Sequence, residues 1–184
     1  MAEPANGHCF SEPHWRVIAQ GFQTESWFND GQAVGTGGIR NPQPTHLPVG
    51  NYYYRFASSS SSREVQLGGG WWLDFENYKK VQMFAQQHGY SIRDAARLML
   101  ALPYAWTRVD LRIRAVLGVP MKAYAGEGKS AQGAKDGGDK GTVWVPTQHI
   151  RVCQLYIPGL FVKGTRPREQ LYEKVFSSPS IESL

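Results

Sequence analysis

Cysteine is nearly absent from this chain. Cys9 and Cys153 are the only two among 184 residues, which allows at most one bridge and excludes a disulfide framework. Free thiols are expected, and Cys153, inside the apolar run RVCQLYIPGLF, is expected in the core as a small hydrophobe. Long hydrophobic runs are missing as well. Nothing approaches the roughly 20 apolar residues of a membrane-spanning helix, and the start MAEPANGHCFSEP has neither the basic nor the apolar region of a signal peptide. Synthesis in the cytoplasm is the expectation, with secretion by a signal-independent route left open. The histidines at 8, 14, 46, 88 and 149 form no HExxH pattern and the cysteines no CxxC pair, so no metal site is expected. GEGKSA lacks the GxxxxGKS spacing of a phosphate loop, which argues against nucleoside triphosphate hydrolysis.

Charge of one sign is not concentrated either. The formal charge is +5, and Arg108, Arg112 and Arg114 form the only tight basic group in the middle of the chain. Such a group is either a solvated face or a contact for phosphate or nucleic acid. What the chain does have is apolar content of 41%, enough for one core at this length.

The chain divides into a loose N-terminal arm over 1–14, a single domain over 15–176 and a polar C-terminal tail over 177–184. HWRVIAQGF is apolar enough for a first short helix or strand, and the three prolines of NPQPTHLPVG force a surface path. NYYYRFA has strong strand preference and runs into Ser58 to Ser62, which is expected as a flexible loop. Gly68, Gly69 and Gly70 precede WWLDF, a strand brought close to another backbone or a ligand. Asp74 caps a helix whose apolar positions Phe75, Tyr78, Val81, Phe84 and Ala85 recur at helical spacing until Gly89 ends it. Ser91 with Asp94 starts a second helix that stops before Pro103.

Beyond Trp106 the period changes to two. Val109, Leu111, Ile113 and Ala115 alternate with Asp110, Arg112 and Arg114, the mark of a sheet with one wet face. VPMKAYA follows as a strand, GEGKSAQGAKDGGDKG as a long loop, GTVWVP and IRVCQLYIPGLF as two more strands, and REQLYEKVF as a short helix. Strands, two helices and then mainly strands predict an α+β fold with mixed, largely antiparallel sheets.

In this order of pieces the chain resembles the ADP-ribosyltransferase superfamily, which includes bacterial toxins and effectors. YYYRF resembles the early strand whose arginine contacts the phosphates of NAD, and GGGWWLDFENYKKVQMFA resembles the second strand and helix that shape the nicotinamide pocket. GEGKSAQGAKDGGDKG followed by TVWVPTQHIRVCQLYIPG is similar to the family's loop and glutamate-bearing strand, so the resemblance covers about residues 50–158. It implies an ADP-ribosyltransferase-like fold, NAD as co-substrate, transfer to a macromolecular acceptor and a neutralising partner protein. Arg55 would fork onto the pyrophosphate. Tyr53, Ser58, Gly70, Trp71, Trp72 and Tyr78 would line the cofactor pocket.

The chain departs from the family at two places. Gly70, Trp71 and Trp72 replace its Ser-Thr-Ser, and Thr142 stands where TVWVP should carry the glutamate that stabilises an oxocarbenium-like centre. Glu127, Asp139, Gln148 and Gln154 are the candidates for that role, and a glutamine there would allow binding without turnover. The alternative is a non-catalytic protein- or nucleic-acid-binding module that uses the aromatic surface with Arg108, Arg112 and Arg114. In that case Tyr and Trp residues are core packing, and Arg55 pairs with Asp74 or Glu76.

Overall fold

A computed structural model describes residues 2–21, 37–104, 106–132, 143–147, 150–161, 164–165 and 170–184. Among them it has nine strands, and every pairing is antiparallel. Helices interrupt the strands without regular alternation, so the fold is α+β. No helix of the described residues is long and apolar enough to cross a membrane.

The chain opens with a short 3-10 helix, Gly7–Ser11, and α1, Pro13–Ala19. A loose arm over 1–14 is not what forms. Asn6 is fully buried, its side chain donating to the carbonyls of Lys122 (2.9 Å) and Pro158 (3.0 Å) and accepting from the Lys122 N–H (2.9 Å). Cys9 is buried beside it. One asparagine with both donor and acceptor satisfied is enough to bind a polar segment to the fold.

Next come β1, Gln43–Leu47, and β2, Tyr52–Ala57. The serine run after β2 makes defined hydrogen bonds rather than an open loop. Ser62 caps α2, Arg63–Gly68, by accepting from the Val65 N–H, and Ser59 bonds Asp110 through both its N–H and its hydroxyl. β3, Trp71–Asp74, leads directly into α3, Phe75–His88, whose first turn is capped by Asp74 accepting from the Asn77 N–H at 2.8 Å. Gly89, at φ 67°, takes the left-handed conformation that ends α3. α4, Ile92–Leu100, starts at Ser91, which accepts from the Asp94 N–H at 3.1 Å.

The second half adds β4 (Leu111–Leu117), β5 (Met121–Glu127), β6 (Ala131–Gln132), β7 (Val143–Trp144), β8 (Cys153–Tyr156), α5 (Leu171–Val175) and β9 (Phe176–Ser183). β4 alternates buried and wetter positions as its sequence period requires. The polar tail is itself a strand. β9 pairs with β4 from Leu117↔Phe176 to Leu111↔Ser183 and forms the sheet edge, with Pro179 at an irregularity where its missing N–H costs no ladder bond. The serines on either side of Pro179 make it read as a polar tail, which hid it.

Seven strands run in the order β1-β5-β8-β3-β2-β4-β9, and β6 and β7 form a separate pair. β3 is the junction of the large sheet: Trp71 and Trp72 pair with β8, whereas Leu73 and Asp74 pair with β2. One core holds Tyr53, Trp72, Ile113 and Leu155 together with α5 residues. A second packs α3 and α4 onto Tyr54, Leu73 and Val152, and a third sets Phe10 and Trp15 against Tyr124 and Tyr156. Cys153 is exposed at the start of β8, because β8 is a short strand whose burial begins only at Leu155.

Candidate functional site

The junction at β3 leaves a cavity of about 280 Å³. Its floor and walls come from the end of β2 (Tyr54 to Ala57), from β3 (Trp71 to Leu73), from Leu100 to Leu102 after α4, from Trp106 and Thr107, and from Gln154 on β8. Ile18 and Gly21 close it from the N-terminal side. The lining is mostly apolar and aromatic with a few polar groups, as in small-molecule sites, and the volume is near the lower end of the range for such sites.

Arg55 is the one charged residue among the described residues that line it. Its Nε donates to the Gln66 carbonyl (3.0 Å), Nη1 to that of Trp71 (3.0 Å) and Nη2 to that of Val65 (3.4 Å). Neither Asp74 nor Glu76 pairs with it; Asp74 is occupied in capping α3. Three of its five N–H groups are thus fixed, and two have no partner among the described residues. Burial lowers its pKa from 12.5 to about 10, which leaves it cationic at neutral pH. Among the described residues, the cavity therefore has a positive wall lined by no carboxylate.

The glycine triplet makes room for this arrangement. A Cβ at Gly69 would overlap the Arg55 guanidinium, and one at Gly70 would press on the Tyr156 ring. Gly70 does not line the cavity; its role is close packing. Trp71 and Trp72 both line it, and the Trp72 indole N–H donates to the Gly69 carbonyl at 2.7 Å.

The remaining expected pocket residues divide. Ser58 lines the cavity and accepts from the Arg108 N–H at 2.8 Å. Tyr53 points into the opposite core, where burial raises its hydroxyl pKa to about 12. Tyr78 stacks on Tyr54 with ring centroids 4.0 Å apart and accepts from Arg112 at 2.6 Å, outside the cavity. Neither lines the cavity, since the strand alternation and the α3 face direct them into packing.

Of the two candidates for the carboxylate role that lie among the described residues, Gln154 is brought to the cavity and Glu127 is not. Glu127 is turned away into a separate pocket, with both carboxylate oxygens 3.0 Å from Nη1 of Arg151. Asp139 and Gln148 lie outside the described residues, as do Lys140 and Thr142. The central arginines also divide. Arg112 pairs with Glu182 and Tyr78, Arg114 lies over the Tyr52 ring at 5.2 Å, and Arg108 is exposed.

Sequence reasoning missed the wall at Leu100 to Thr107 and the residue that holds it. Arg97, 2% exposed on the buried side of α4, donates to the carbonyls of Leu102 (2.8 Å), Thr107 (2.9 Å) and Arg108 (2.9 Å). A cation among Ala95, Ala96 and Met99 was the available signal. Two non-glycine residues take left-handed backbone here, Ala101 in the wall at φ 51° and Val109 just beyond it at φ 54°. That conformation is rare for a β-branched residue and is kept by the surrounding bonds.

Comparison with protein-family models, with curated proteins and with solved structures finds no match to this chain. The chemistry of the cavity therefore carries the functional reading.

Proposed function

We propose that the protein binds NAD, or a closely related dinucleotide, with its nicotinamide end in the cavity, in the manner of an ADP-ribosyltransferase-like effector or toxin. The observation that carries this reading is the convergence of Arg55, Trp71 and Gln154 on one cavity. Trp71 and Trp106 offer faces for an aromatic ring, and Arg55 offers positive charge with two free N–H groups for a phosphate.

Cleavage of the nicotinamide bond needs a carboxylate to stabilise developing positive charge at the ribose. None of the described lining residues is a carboxylate, and Gln154, a neutral amide, cannot supply that charge. The reading thus favours dinucleotide binding with weak turnover, and transfer to a macromolecular acceptor depends on a carboxylate brought from elsewhere. A module built on Arg108, Arg112 and Arg114 has less support, because Arg112 is already held by Glu182 and Tyr78.

Thermal unfolding in the presence of NAD tests the proposal. Saturating NAD at about 100 times its dissociation constant stabilises a one-site protein by roughly 2.7 kcal/mol, a shift of several degrees that adenosine alone should not reproduce. An unchanged midpoint at millimolar NAD rejects it.

A further inference from the structure

A second, polar pocket of about 220 Å³ lies beside the bridge between Ile39 and Gly128. Residues 38–40 and 127–129 run antiparallel there, with the Arg40 N–H donating to the Glu127 carbonyl (2.7 Å) and the Lys129 N–H to the Gly38 carbonyl (2.8 Å). The pocket is lined by Arg40, Glu127, Ser130, Thr147 and Arg151. Arg40 has no carboxylate partner among the described residues, and Arg151 uses only Nη1 on Glu127. Among the described lining residues, two guanidinium groups against one carboxylate leave an excess of positive charge. The nearby Lys129 feels it: its pKa is lowered by burial first and by Arg40 second.

The Glu127–Arg151 pair is solvent-accessible, with the side chains 39% and 71% exposed, so it is a weak contact that a stronger acceptor can displace. A carboxylate ligand would only substitute for Glu127. A phosphoryl group carries close to two negative charges and three acceptor oxygens, enough to engage both forks together.

We propose that this pocket is a phosphoryl-binding site in which Arg40 and Arg151 grip a phosphate, and Glu127 holds Arg151 in place until the ligand displaces it. The site shares a wall with the cavity. Gly38 lines the cavity two residues before Arg40, and the Gln154 amide rests against Gly128 so closely that a Cβ there would overlap it. The phosphoryl group is therefore either free inorganic phosphate or the phosphate of a mononucleotide whose ring occupies the cavity, and only this second source rests on the dinucleotide reading.

The test follows the arginine Nε–H signals by nuclear magnetic resonance while inorganic phosphate replaces chloride at constant ionic strength. Saturable shifts of Arg40 and Arg151 are expected, at concentrations about tenfold lower than for acetate. Arg151→Ala and Arg40→Ala, both at exposed positions, should each abolish saturation. Glu127→Gln should tighten binding about two- to fivefold, the gain from removing the competing carboxylate. Shifts that do not saturate, acetate matching phosphate, or weaker binding in Glu127→Gln would each overturn the proposal.

Nicotinamide mononucleotide separates the sources. If it quenches tryptophan emission, and Arg151→Ala weakens it but leaves nicotinamide riboside unchanged, the phosphate belongs to a cavity ligand. If inorganic phosphate saturates the arginines while the mononucleotide leaves tryptophan emission unchanged, the phosphoryl site stands and the cavity reading fails.

Discussion

The guanidinium of Arg55 occupies the space that a side chain at Gly69 would fill. The backbone at Gly69, φ −62° and ψ 139°, is one any residue can adopt, so the requirement for glycine is steric rather than conformational. Gly69→Ala should push the guanidinium off the carbonyls of Val65, Gln66 and Trp71 and cost about 1–3 kcal/mol, the usual range for overpacking. Arg55→Ala leaves those carbonyls without their donor at a cost of about 1–3 kcal/mol. A double-mutant cycle in urea should find the two effects strongly non-additive, since with Arg55 truncated the extra methyl meets empty space. Additive losses would mean that the two residues are not in contact.

Much of the scaffold around that contact is legible in the sequence. Asp74, Gly89 and Ser91 mark the ends of α3 and α4 because capping is a local event that a few residues decide. β4 is legible from its period. β9 and the N-terminal segment are not, because both are held by partners 59 or more residues away in the chain: β9 by the β4 ladder, and Asn6 by backbone groups at Lys122 and Pro158. In the cavity, Arg55, Ser58, Trp71, Trp72 and Gln154 are recognisable as polar or aromatic residues in unusual settings. Tyr53 and Tyr78 have the same composition signal but face packing, and only the strand alternation at Tyr53 and the helix face at Tyr78 separate them. The Arg97 clamp depends on where residues 102–108 return, which no local pattern encodes.

The two thiols should behave differently. Cys153 is exposed and should react with a thiol reagent in the native protein at pH 8, whereas Cys9 is buried, with its pKa raised to about 11, and should react only after denaturation. Two rapidly reacting thiols in the folded protein would contradict this.

The raised pKa values predict an alkaline limit of stability. Cys9 is raised from 9.0 to about 11 and Tyr53 from 10.0 to about 12, chiefly by burial, so the folded protein holds these protons more tightly than the unfolded chain. Their contribution is fully present below the unfolded pKa values and is lost as pH rises through the folded ones, between about pH 9 and 12. Denaturation midpoints should fall across that window, and Cys9→Ala should flatten the part between pH 9 and 11. An identical slope in the variant would show that Cys9 is not the titrating group.

Ala101 ends α4 at φ 51°, where a β-carbon is disfavoured. Ala101→Gly should stabilise the protein by up to about 1 kcal/mol, after the greater flexibility of the unfolded chain is subtracted. Measured loss of stability would mean that the Ala101 methyl group, buried in the cavity wall, contributes more by packing than the backbone gains.

Gln154→Glu would place a carboxylate in the cavity that holds Arg55 and Trp71. Release of nicotinamide from NAD should rise by about a hundredfold, the scale of one electrostatic group at a reacting centre. Retained NAD binding with no increase in release would put Gln154 away from the glycosidic bond.

The central claim is that the cavity beside Arg55 takes the nicotinamide end of a dinucleotide, and calorimetric titration of NAD tests it most directly. The parent protein should show one saturable site, and Trp71→Ala, which removes a ring from the cavity wall, should weaken it by roughly 1–3 kcal/mol of binding free energy. No saturable heat from the parent protein, or equal affinity in Trp71→Ala, would contradict the account.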